Sequence, residues 1–167
     1  MRTIDGIDLD SFSSGESVKS LGMTRWGDDP FGDVPTVSGV YVVVREAASA
    51  PTFLRDSRAG QFKGLDPSYP EAIVKAAWVP NATVVYIGKG AGRNGLRQRV
   101  GQLVNFAYGA NIGHRGGRLL WHLSDWEDLL VRWMDCPGAS AAAIKADLIK
   151  RFQREHGDRL PYANRSQ

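Results

Sequence analysis

Residues 83–107 read TVVYIGKGAGRNGLRQRVGQLVNFA, and three kinds of local structure follow one another within them. Thr83 to Ile87 is β-branched and aromatic, starts after Pro80-Asn81, and predicts a strand. GKGAGRNG is too rich in glycine for a regular element and predicts a turn. From Leu96 onward the apolar residues Leu96, Val100, Leu103, Val104 and Ala107 recur at offsets of three and four, which predicts an amphipathic helix over 96–107.

Working outward, residues 40–44 (VYVVV) follow Ser38-Gly39 and predict another strand. Residues 47–69 have little periodicity and read as a long connection, residues 70–78 as a short helix. The apolar runs at 118–123 and 129–134 predict two more strands. Residues 139–156 give the clearest helical pattern, with Gly157 as its stop. Residues 1–35 read as an acidic, irregular lead-in with one short helix, and residues 36–167 as the folded domain. Alternation of strands and helices points to an α/β or α+β fold with a small sheet.

A chain of 167 residues is long enough for one domain with its own core. The single Cys136 forms no internal bridge, which excludes a disulfide scaffold and favours a reducing compartment. No apolar run approaches the roughly 20 residues that span a bilayer. The polar, acidic N-terminus does not read as a signal peptide, so the expected setting is the cytoplasm, away from membranes. Charge is unevenly distributed. Asp5, Asp8, Asp10, Glu16, Asp28, Asp29 and Asp33 crowd the lead-in, a segment suited to a protein partner or to covering a basic cleft. Between Tyr86 and Arg118 there is no acid, against Lys89, Arg93, Arg97, Arg99, Arg115 and Arg118. An acid-free basic stretch is what a polyanion-binding surface needs; a solvated face with chance clustering is the plainer alternative.

Several chemistries are poorly matched. GKGAGRNG lacks the late Lys-Ser/Thr of a phosphate loop and the spacing of a dinucleotide fingerprint. One Cys and three scattered His do not build a zinc site. A nucleophilic pairing of Cys136 with His114 or His122 is formally possible, but a lone strand-end Cys is more often a small buried hydrophobe.

What remains is an ordered set: Gly39-Val40-Tyr41, Tyr86-Ile87-Gly88-Lys89, Arg99 in the following helix, Leu148-Ile149 in the last helix, and Pro161-Tyr162-Ala163-Asn164. In that order the set resembles the GIY-YIG nuclease superfamily, over roughly residues 35–165. The resemblance implies a small, mostly antiparallel sheet of about three strands flanked by helices, and metal-dependent DNA endonuclease activity with Mg²⁺ or Mn²⁺. It implies that Tyr41 and Tyr86 lie side by side and activate the attacking water. It makes Arg99 the group that stabilises transition-state charge and Asn164 the residue that orients the site. His114, in the loop GHRGGR, would assist proton transfer. Lys89, Arg93, Arg97, Arg115 and Arg118 would hold the nucleic-acid backbone. Each has a plainer reading: core aromatics, surface cations, a solvated histidine, a turn cap.

One position departs from the pattern. The family carries its metal-binding Glu three residues before the Leu-Ile pair, where this chain has Lys145. An ammonium does not ligate a hard cation. At about 100° per residue Lys145 falls inside the apolar arc of Ile144, Leu148, Ile149 and Phe152, whereas Asp147, the nearest carboxylate and a weak substitute ligand, points away. Three readings of Lys145 stand at this point: a cation reaching into the cleft to bind phosphate, a substitution that disables a nuclease, or a relative that binds nucleic acid without cutting it.

Overall fold

A computed structural model describes residues 2–22, 29–112, 116–137 and 139–165. Four strands form one antiparallel sheet: β1 (Glu16–Ser17), β2 (Gly39–Val44), β3 (Val84–Gly90) and β4 (Leu130–Asp135), in the spatial order β1-β4-β2-β3. Four α-helices accompany it: α1 (Val18–Gly22), α2 (Glu71–Ala77), α3 (Gly95–Ala107) and α4 (Ala141–Glu155). The fold is α+β. Three of its strands match the expected runs, and the fourth is the two-residue β1 contributed by the lead-in. Among the described residues no helix is long and apolar enough to cross a membrane.

β2 is buried along its whole length because both of its faces are covered. Tyr41 and Val43 face a core built with Leu96, Val100 and Leu103 of α3. Val40, Val42 and Val44 face a second core with Leu148, Ile149 and Phe152 of α4. A bulge between Val43 and Val44 leaves Val85 as an extra residue on β3. An extra residue shifts the alternation of faces, so Val85 and Tyr86 both join the α3 side, while Val84 and Ile87 join the α4 side. The bulge thus returns Val84 to the α4 side, whereas Tyr86, opposite Val43 in the regular part of the ladder, shares the face of Tyr41.

The expected strand over 118–123 is instead a 3₁₀ turn, Arg118–His122, entered through Gly117 at φ 79°. Leu119, Leu120, Trp121 and His122 are all buried. A continuous apolar run does not distinguish a buried strand from a buried helical turn, and RLLWH has none of the β-branched residues that favour strands. His122 is fixed from two sides: Nε2 accepts the Tyr69 N–H at 3.0 Å and Nδ1 donates to the Leu54 carbonyl at 2.8 Å. It thereby anchors the long 47–69 connection to the core.

The lead-in is tied to the sheet by Asp5. Its Oδ2 accepts the N–H groups of Thr83 and Val84 at 2.8 and 2.7 Å, and its Oδ1 accepts from His156 Nε2, beyond the end of α4, at 2.8 Å. Ile7, Leu9 and Phe12 follow it into the α4-side core. Replacing Asp5 with Ala leaves two strand N–H groups without partners. Each such group costs about 1–3 kcal/mol, so Asp5→Ala is expected to lower unfolding free energy by about 2–4 kcal/mol. Urea denaturation should show a lower midpoint at unchanged slope.

Candidate functional site

The two tyrosines meet because of the β2–β3 register. Tyr41 stands opposite Gly88 and Val43 opposite Tyr86. The Tyr41 and Tyr86 ring centroids lie 6.0 Å apart at 53°. Gly88 has to be a glycine here, since a Cβ on it would lie 2.3 Å from Tyr41 Cζ and 2.5 Å from its hydroxyl. Tyr41 is fully buried, and among the described residues its hydroxyl has no hydrogen-bond partner. Tyr86 is close enough to influence its ionisation without completing a well-formed bond. Burial pushes the Tyr41 phenol well above the ordinary tyrosine range, Tyr86 adds to the shift, and Arg99 opposes it. Burial raises Tyr86 as well, against the pull of Tyr41 and Arg99. Both phenols are therefore neutral groups that can donate a hydrogen bond, and poor bases.

Arg99 is the cation that acts on both phenols, and Arg99 and Lys89 act in turn on Lys145. Arg99, half-buried on α3, spends one donor on Gln102 Oε1 at 3.0 Å. Lys89 is exposed on β3, the outermost strand on its side of the sheet. Lys145, half-buried on α4, has its pKa lowered first by burial, then by Lys89 and Arg99. The charges acting on Lys145 thus all share its sign. It lines a cleft of about 270 Å³ together with Tyr69, Tyr86, Gly116, Arg118 and Asn164.

Asn164 closes this cleft from the free edge of β3. Its Oδ1 accepts the Ile87 N–H and its Nδ2 donates to the Ile87 carbonyl, both at 2.9 Å. The neighbouring Ala163 N–H donates to the Val85 carbonyl at 2.8 Å. The C-terminal segment therefore continues the sheet's hydrogen bonding by one short step, and Asn164 holds the backbone between Tyr86 and Gly88.

The remaining candidates divide by what they touch. Arg118 donates to the Tyr69 hydroxyl at 2.7 Å and lies 4.8 Å from that ring, while its buried Nε has no partner among the described residues. Arg165 lies 5.1 Å from the same ring. Tyr69 and Arg165 carry no sequence signal: one ends an aperiodic connection and the other follows the last motif. Arg97 points elsewhere, donating to the carbonyls of Val34 and Gly32 at 2.8 and 3.0 Å, and so clasps the lead-in to α3. Arg93 is exposed in the glycine-rich turn. His114 and Arg115 lie outside the described residues.

A divalent metal needs oxygen donors, and this cleft offers it none from a carboxylate. Among the described residues no group of three His, Cys, Asp or Glu side chains gathers. Asp147 is exposed and bonded to Arg151 at 2.8 Å on the outer face of α4. The donors present fit an anion and do not fit Mg²⁺ or Mn²⁺. Comparison with protein families, with curated proteins and with solved structures found no match to this chain.

Two substitutions separate packing from function here. Tyr41→Phe removes an unpartnered buried hydroxyl and keeps the ring, so stability is expected to hold within about 1 kcal/mol or to rise. Lys145→Gln removes a charge that the unfolded chain carries more easily than the folded one. With the folded pKa below 10.5, the unfolded state binds more protons, and stability rises as pH climbs from the folded value towards the unfolded one. Lys145→Gln should therefore be equal to or up to about 1 kcal/mol more stable than the parent at pH 7. It should also lose part of the parent's gain at alkaline pH, as read by urea titrations at neutral and alkaline pH.

Proposed function

We propose that this chain is a GIY-YIG-like scaffold that binds nucleic-acid phosphate through the cleft at the edge of β3, lined also by α4, the Arg118 turn and the C-terminal segment, and does not hydrolyse intact phosphodiester bonds with a metal. The observation that carries the reading is Lys145, half-buried and acted on by Lys89 and Arg99. Three cations placed together repel one another, and an arriving polyanion relieves the repulsion. Support also comes from the motif order, from Tyr41 and Tyr86 as neutral donors beside Arg99, and from Arg118 at the cleft wall.

In this reading the phosphate oxygens receive hydrogen bonds from Arg99 and Lys145, while Lys89 and Arg118 hold neighbouring phosphates. Asn164 fixes the β3 backbone so that Tyr86 keeps its position. A metal-dependent endonuclease, which the motif resemblance alone would favour, requires a carboxylate at position 145. The lysine there puts positive charge where the metal's ligand would stand.

Four cations contacting phosphates give an expected slope of about −3 to −4 for log affinity against log salt on duplex DNA. Arg99→Ala and Lys145→Gln should each reduce that slope by about one and weaken binding to unrelated sequences alike. Supercoiled plasmid should stay intact with Mg²⁺ or Mn²⁺. Robust nicking of plasmid by the unaltered chain would overturn the proposal. Nicking gained by Lys145→Glu would identify a nuclease silenced at that one position.

A further inference from the structure

Lys145 is a primary amine in a phosphate-sized cleft, with no carboxylate among the groups acting on it. A lysine partly withdrawn from water and set among other cations gives up its proton more readily than a free one, and its amine then attacks carbonyl carbon. The groups around it are suited to flanking charge: Arg118 lines the same cleft, Arg165 lies across the Tyr69 ring, and Lys89 and Arg99 act on Lys145 from β3 and α3. The cleft, about 270 Å³, lies just below the range of pockets that enclose whole drug-sized ligands, about 300–1,000 Å³. It suits a sugar-phosphate unit better than a complete nucleotide. Nucleic acid presents a reactive carbonyl where a base has been lost, because the ring-opened deoxyribose there is an aldehyde.

We propose that Lys145 forms a Schiff base with the aldehyde of an abasic deoxyribose and cleaves DNA at that site by β-elimination, without a metal. The inference rests on the reading of the cleft as a nucleic-acid phosphate site. The Nζ lone pair adds to C1′, the carbonyl oxygen becomes a hydroxyl, and loss of water gives an iminium. The iminium acidifies C2′, whose proton passes to water. The freed electron pair forms the C2′–C3′ double bond as the C3′–O bond breaks. The leaving strand departs with a 5′-phosphate, held by Arg118 or its neighbours. Water then hydrolyses the imine, releasing the unsaturated aldehyde and restoring the Lys145 amine. No electrons are gained or lost overall.

The test incubates the full chain, in EDTA, with a duplex oligonucleotide carrying a natural abasic site, and adds sodium borohydride to reduce any imine. A covalent protein–DNA adduct is expected on a denaturing gel, with the modification mapped to Lys145 by mass spectrometry. Lys145→Arg keeps the charge but has no amine to condense, so adduct yield should fall by roughly tenfold or more. Affinity for a duplex with a tetrahydrofuran abasic analogue, which has no aldehyde, is measured in parallel for both forms, and adduct yields are compared at equal DNA occupancy. An adduct that persists in Lys145→Arg, or maps to another amine, overturns the assignment. No adduct despite salt-sensitive binding of the analogue overturns the lyase step and leaves phosphate binding standing. Failure to bind any duplex at low salt overturns both.

Discussion

Tyr41 and Gly88 face each other across β2 and β3, and a methyl group on Gly88 would stand 2.3 Å from the Tyr41 ring. The rest of the site depends on that missing methyl. It lets the ring of Tyr41 lie against the β3 backbone and stay wholly buried. The unbroken register from Gly88 to Tyr86 then sets Tyr86 opposite Val43 on the same face, and the two phenols become neighbours. Asn164 holds the β3 backbone between Tyr86 and Gly88 from the outside by its paired hydrogen bonds to Ile87. A side chain at position 88 would displace the ring, loosen the β2–β3 pairing, and separate Tyr86 from Arg99.

Around this fixed pair the electrostatics are one-sided. Burial alone would make Tyr41 and Tyr86 harder to ionise, and Arg99 only partly offsets it. The phenols therefore serve as donors. Lys145 carries the opposite burden: withdrawal from water and two like charges disfavour its protonated form. Neutral donors and crowded cations share one need, an anion that accepts hydrogen bonds and supplies negative charge. In the proposed reading such a site keeps an unfavourable interaction in the free state that an anion would remove, so affinity would come partly from relief of repulsion as well as from new contacts.

Elements with a strong period were legible in the sequence. β2, β3, β4 and the three longer helices fall within a few residues of their expected ranges, the strands marked by apolar, mostly β-branched and aromatic runs and α3 and α4 by apolar spacing of three and four. β1 was not legible, since two residues carry no period; its place comes from pairing with β4. RLLWH misled because it is buried all round. In the site, helix angle correctly separated Lys145 from Asp147: one is half-buried in the cleft and the other is paired outward with Arg151. Arg97 and Asp5 show where such reasoning stops. Both find their partners in backbone groups far along the chain, Asp5 at the start of β3 and Arg97 in the aperiodic lead-in, and nothing local in the sequence marks those pairings.

If the resemblance holds, an ammonium rather than a carboxylate at position 145 changes more than one ligand. A carboxylate there would draw a divalent cation and, through it, the phosphate, and it would pair with Lys89 and Arg99 in the free protein. An ammonium cannot do this; it adds to the positive field and, in the proposed reading, meets the phosphate directly. In that reading it also sets an amine beside the nucleic-acid backbone. Metal-assisted hydrolysis and amine condensation are thus alternatives at one position, decided by whether the side chain that α4 delivers into the cleft ends in oxygen or in nitrogen.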